Sequence, residues 1–92
     1  MDVESDPDAI RIRQLFERLE PYLSPSLAPI IRSYMGNKEE DFGLQEMVID
    51  VASERTPVPK NLVTELLNLA KELLYADPFV VDRLPRLEEL AS

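Results

Sequence analysis

The prolines of this chain do most to limit what it can fold into. There are eight of them against only two glycines, and most stand where a helix could begin. Proline is tolerated in the first helical turn, because its missing N–H would have no intrahelical partner there. Between the prolines, apolar residues recur at spacings of three and four, and no useful alternation of period two appears. The sequence therefore predicts an all-α fold, a small bundle of four main helices plus a short C-terminal helix.

Caps and stops predict where the first two helices begin and end. The first opens with Asp6 as N-cap and Pro7 at its first position. It ends or bends at Pro21, since a proline pushes the residue before it out of the helical region. The second helix follows Ser24 or Ser26 as its cap. Its predicted inner face is formed by Leu27, Ile30, Ile31 and Tyr34.

The remaining helices follow from the same signals. Gly36 is expected to end the second helix in a left-handed conformation. The third helix starts at about residue 38 or 39 and runs to 54, with Phe42, Met47, Val48 and Val51 facing the core. The fourth, from about 59 to 75, is apolar on more than half its circumference, which predicts a central helix. Residues 77–92 are predicted to form a short helical tail, with a fifth helix over 78–84 and a last turn to 90.

Length and composition exclude several classes of protein. Ninety-two residues indicate one domain, here with residues 1–5 as a mobile N-terminus. Without cysteine or histidine, the chain lacks disulfides, the usual zinc ligands and the customary base of a nucleophilic enzyme. Calcium-loop and phosphate-loop patterns are absent as well, so we expect no metal, no cofactor and no catalysis. No apolar run approaches a membrane span of about 20 residues, and the acidic start is unlike a secretory signal. A cytoplasmic protein without membrane contact is expected.

The net charge of −8, from 18 acidic and 10 basic residues, bears on the choice of partner. Phosphate backbones would be repelled, so direct nucleic-acid binding is not expected. Complementary potentials steer association, so a charged partner would be a basic protein. The alternative is that the charge serves solubility alone.

Three acids on the third predicted helix recur every four residues, namely Glu46, Asp50 and Glu54. Like charges at this spacing destabilise a helix by about 0.2–0.5 kcal/mol per pair. A partner rich in lysine and arginine would reverse that cost, which makes the three acids candidate partner contacts. The alternative is an ordinary solvated helix face.

The start of the same helix supplies the other candidate contacts. Glu39, Glu40 and Asp41 could attract basic residues of a partner, or could simply favour the positive end of the helix dipole. Tyr34 and Phe42 are candidate aromatic anchors, because such residues are enriched at interface hot spots. Their alternative role is to close the core at a helix end.

A longer pattern runs from about residue 30 to 73. It consists of an isoleucine–tyrosine helix end, an acidic–glycine helix start, acidic and apolar positions along the third helix, a proline-containing linker and a leucine-rich helix. Its residues are Ile31, Tyr34, Glu40, Gly43, Leu44, Glu46, Val48, Asp50, Glu54, Pro57, Pro59, Leu62, Leu66, Leu69 and Leu73. This half of the chain resembles the MafI-type immunity proteins of polymorphic and contact-dependent toxin systems. It departs from them at Gln45, where the family usually has alanine. The acidic N-terminus, the position of Pro29 and the tail from Asp77 onward have no clear counterpart in the family.

The resemblance implies a non-catalytic helical bundle, often dimeric, that binds and neutralises a cognate toxin domain, frequently a basic nuclease. On this reading the acidic face of the second and third helices meets the toxin. Charge reversal at Asp50 and Glu54 is then expected to weaken inhibition far more than it lowers the melting temperature. The alternative is a structural or adaptor module that acts through homo-oligomerisation, favoured by the broad apolar face of the fourth helix.

Overall fold

The chain is helical throughout the part that the structure describes. The computed structural model describes residues 6–92, among which no strand occurs, and it confirms the all-α fold. The segment expected to be mobile, residues 1–5, lies outside the described residues. In chain order the elements are α1 (Pro7–Leu19), a 3-10 helix (Glu20–Tyr22), α2 (Ala28–Gly36), α3 (Glu40–Ala52), α4 (Lys60–Leu73), α5 (Pro78–Val81) and α6 (Leu84–Ala91).

Proline opens most of these helices, as predicted. One lies within the first two positions of α1, α2, α5 and α6, at Pro7, Pro29, Pro78 and Pro85. Pro21 lies in the 3-10 helix that follows α1. The α-helix stops near it as expected, but Glu20, the residue before the proline, keeps helical angles (φ −50°, ψ −42°), so the expected displacement of that residue from the helical region was wrong. At the start of α1, the predicted cap forms: an Asp6 carboxylate oxygen accepts a hydrogen bond of 3.0 Å from the backbone N–H of Asp8. Local sequence signals therefore determine where α1 begins and ends.

The core is built around α4, which packs against α1, α3 and α6. Its buried residues lie on one broad face that spans slightly less than half of its circumference, so the predicted apolar face was too wide. They are Leu62, Val63, Leu66, Leu67, Leu69 and Ala70. The predicted tail belongs to this core, because Val80 and Leu87 are both 0% exposed. Burying such a side chain contributes about 1.5–3 kcal/mol. No helix among residues 6–92 has the length and apolarity to span a bilayer.

Two ion pairs link α1 to α4 and define their direction. Arg11 donates to both carboxylate oxygens of Glu72, at 2.8 and 3.0 Å. Arg18 donates to both oxygens of Glu65, one of them at 2.7 Å. As the arginine position advances along α1, the glutamate position retreats along α4, so the two helices run antiparallel. The arginine hydrogen bonds hold the pKa of Glu65 and of Glu72 below the ordinary glutamate value.

The start of α2 differs from the prediction. Neither Ser24 nor Ser26 caps the helix with its side chain; the N-cap is Leu27, which makes no side-chain cap bond. Instead the carbonyl oxygen of Ser24 accepts the backbone N–H groups of Leu27 and Ala28, both at 2.9 Å. The serine hydroxyl is directed elsewhere, to α3, as described below.

The inner face and the end of α2 also differ. Ile30 is 48% exposed, so its placement on the inner face was wrong. Ile31 is buried as predicted, and Met35, which was not predicted for this face, is buried as well. The left-handed residue after the helix is Lys38, with φ of 59°, rather than Gly36. The turn closes with a 2.9 Å hydrogen bond from the Glu39 N–H to the Tyr34 carbonyl, which is the six-to-one bond of a Schellman motif.

Candidate functional site

A cleft lies where the first turns of α1 and α3 meet. Its volume is about 380 Å³. The lining residues are Asp6, Asp8, Ala9, Lys38, Glu39, Glu40, Asp41, Phe42 and Leu73. Five of these side chains are carboxylic acids and one is a lysine. We call this feature the acidic cleft.

Its most exposed apolar group is Phe42, at 54% exposure. The prediction that Phe42 faces the core was therefore wrong, because its position in the first turn of α3 lies on the outer side of that helix. Its ring packs against the half-buried Tyr34 of α2, with ring centroids 5.8 Å apart and a tilt of 34°. The structure thus brings together the two predicted aromatic anchors. They present an apolar surface beside carboxylates.

The three acids at the start of α3 differ in exposure. Glu39 and Asp41 are exposed, and among residues 6–92 neither forms an ion pair. Glu40 is only 7% exposed and accepts a 2.5 Å hydrogen bond from Arg13 of α1. A buried carboxylate needs such a partner, because its desolvation is otherwise costly. Glu39 and Asp41 are therefore available to a partner, whereas Glu40 fastens α3 to α1.

The acids at 46, 50 and 54 do not form one solvated face. Asp50 is 6% exposed and hydrogen-bonded to Ser24, while Glu46 is half-buried. Glu54 lies beyond the end of α3 in a left-handed conformation, with φ of 60°, and pairs with Nε of Arg86 at 3.1 Å. Charge reversal at Asp50 would place a cation in the core and is therefore expected to lower the melting temperature, contrary to the expectation from the sequence.

Sequence reasoning did not assign the α1 side of the cleft to the site. The sequence predicts Asp6 as the N-cap of the first helix. In the structure the cap forms, Asp8 also pairs with Arg11 at 3.3 Å, and both acids lie in the cleft. The sequence shows acids at the start of both α1 and α3, as is typical of helix N-termini. It does not show that these two starts lie side by side, because that depends on tertiary packing.

The acidic cleft is suited to bind a cationic group, because several carboxylates line the same space. Acids on two helices surround an aromatic face, and both carboxylates and aromatic faces attract ammonium or guanidinium groups. No group of three or more acids among residues 6–92 has the geometry to hold a metal ion.

Comparison of the chain with models of protein families, with functionally described proteins and with solved structures found no significant match.

Proposed function

We propose that this protein is an immunity protein, a non-enzyme that binds and neutralises a cognate toxin domain in the cytoplasm. The partner surface would be basic, as in a nuclease, and would dock on the acidic cleft. A net charge of −8 favours such an encounter over long range. The sequence resemblance between residues 30 and 73 and the MafI-type immunity proteins is a second, separate support.

The observation that carries the proposal is Phe42, exposed by 54% beside the cleft acids. An exposed aromatic ring among charged groups gains little for the free protein. In a complex it would supply the desolvated apolar centre that interface hot spots use, and the acids would supply the polar surround. Glu39 and Asp41 are the acids best placed to meet lysine or arginine, because neither has an ion-pair partner among residues 6–92.

The test compares a cleft variant with a matched variant elsewhere. Phe42→Ala with Asp41→Lys alters the cleft. Phe79→Ala with Asp82→Lys makes the same two changes at the exposed start and end of α5. Each tagged protein is used to purify partners from lysate of the native cell. The gene for any stoichiometric basic partner is then expressed alone and with each variant, and growth is measured.

The proposal expects a partner that is toxic alone and is neutralised by the wild type and by the α5 variant, but not by the cleft variant. A partner neutralised equally by all three proteins would show that the cleft is not the docking surface. A partner without toxicity would overturn the immunity function itself.

A second candidate is a structural or adaptor module that acts as a homodimer. The apolar face of α4 no longer favours it, since that face is buried within the chain. The observation in its favour is a pair of exposed aromatic residues that follow α4, Tyr75 at 73% and Phe79 at 60%. Sedimentation at dilute concentration distinguishes the two candidates. A dimer that Phe79→Ala converts to monomer, while the cleft variant stays dimeric, would favour the second.

A further inference from the structure

A second concave surface lies at the linker between α3 and α4. Its volume is about 350 Å³, near the lower end of the range for small-molecule sites. The lining residues are Val51, Glu54, Thr56, Pro57, Val58, Lys60, Val63 and Leu90. We call it the linker groove. It is separate from the acidic cleft, with which it shares no lining residue.

The floor of the linker groove is apolar and firmly held. Val51 of α3 and Val63 of α4 are 4% and 1% exposed and belong to the core. Val58 of the linker and Leu90 of α6 are partly buried against that core and form the sides. The groove thus offers a narrow apolar lining built from three helices and the linker, as sites for small apolar groups do.

The polar group that distinguishes the rim is Lys60. Among residues 6–92 Lys60 forms no ion pair, whereas Glu54, the acid that lines the groove, is already paired with Arg86. Lys60 is also the first residue of α4, whose N-cap is Pro59 and has no side-chain acceptor. In a chain of net charge −8, an uncompensated ammonium group beside an apolar groove favours an anion with an apolar body.

We infer that the linker groove binds a small carboxylate with an alkyl chain. The chain lies along Val58, Val63 and Leu90, and the carboxylate meets the ammonium group of Lys60. This inference does not depend on the immunity function, because it uses none of the cleft residues.

The experiment titrates the full protein with three probes of equal chain length: octanoate, octanol and octylammonium. Methyl signals of the valines and leucines are followed by NMR. We expect octanoate to shift the signals of Val58, Val63 and Leu90 and to bind more tightly than the other two probes. Lys60→Glu should weaken octanoate about two- to fivefold or more, as expected for an exposed ion pair.

Arg55→Glu is the matched control. Arg55 is likewise exposed and forms no ion pair among residues 6–92, but it does not line the groove. Arg55→Glu changes the net charge by the same amount as Lys60→Glu. It should alter octanoate affinity only by the small effect of that net charge. Equal binding of octanol, or equal weakening by the two variants, would overturn the role of Lys60. Octanoate shifts that avoid the groove methyls, or no shifts at millimolar octanoate, would overturn the site.

Discussion

Asp50 of α3 accepts two hydrogen bonds from Ser24, one from its backbone N–H at 2.8 Å and one from its hydroxyl at 2.5 Å. Both residues are buried, at 6% and 5% exposure. The pair joins α3 to the segment that precedes α2. It also accounts for the missing serine cap on α2, because the Ser24 hydroxyl is already engaged.

Removing this carboxylate should destabilise the fold. Asp50→Ala leaves a buried N–H and hydroxyl without acceptors, and hydrogen bonds to charged groups contribute about 1.5–3 kcal/mol. We expect a loss of about 2–3 kcal/mol in the free energy of unfolding, measured by urea denaturation. Asp41→Ala, at an exposed acid of the same helix, should change it by less than about 0.5 kcal/mol. Equal effects at the two positions would contradict the structural role of Asp50.

The left-handed residue after α2 favours glycine. Lys38 has φ of 59°, a conformation that costs a residue with a side chain about 1–2 kcal/mol and costs glycine little. Lys38→Gly is expected to be about 1 kcal/mol more stable to unfolding than Lys38→Ala, because both variants lose the lysine side chain and only alanine keeps the strain. The control is the same pair of substitutions at Asn37, one residue earlier, where φ is −108°. There glycine should have no advantage over alanine; an equal advantage at both positions would mean that φ is not the cause.

Gly43 marks the close approach of α3 to α2. A Cβ placed there would lie 2.5 Å from the terminal methyl of Met35 and 3.7 Å from Ile31. The methionine end is flexible, so its displacement offsets the gain of about 1 kcal/mol that alanine brings to a helix interior. We expect Gly43→Ala to stay within about 1 kcal/mol of the wild type. Gly43→Leu should cost about 1–3 kcal/mol or more by overpacking, with both read from thermal unfolding.

Acid should weaken the contact between α1 and α4. Hydrogen bonds from Arg18 and Arg11 lower the pKa of Glu65 and Glu72 from the ordinary value of 4.5. Because the folded-state pKa lies below the unfolded one, the stabilisation is complete above pH 4.5 and is lost as the pH falls through the folded pKa.

The measurement for this prediction is the urea midpoint at pH 7 and at successive values below 4.5. The double variant Glu65→Gln with Glu72→Gln should lose less stability on acidification than the wild type. Glu17→Gln, an exposed acid of α1 without an ion pair among residues 6–92, serves as control. If the double variant and the wild type lose the same stability, the ion pairs do not contribute.

The helices themselves were predictable, because proline positions and apolar spacing are local signals. The stop at Pro21 and the start at Pro7 needed no tertiary information. The end of α2 was not predictable in the same way. Glycine is the usual left-handed residue, yet here Gly36 stays within the helix and Lys38 takes that conformation.

The site was predicted less well, since a spacing of four does not determine which acids face solvent. Asp50 and Glu40 are buried because each accepts a hydrogen bond from a residue outside α3, Ser24 and Arg13 respectively. Glu54 fell beyond the end of its helix. Tyr34 and Phe42 could be paired only once α2 and α3 were seen to pack together.

The two ion pairs between α1 and α4 join residues 61 and 47 positions apart in the chain. The same helix α1 buries Ile12, Leu15, Phe16 and Leu19. A first helix held in this way cannot fray as a terminal segment does, since opening it removes a wall of the core. Its amide hydrogens should therefore exchange only when the whole domain unfolds, with the same protection as those of α4.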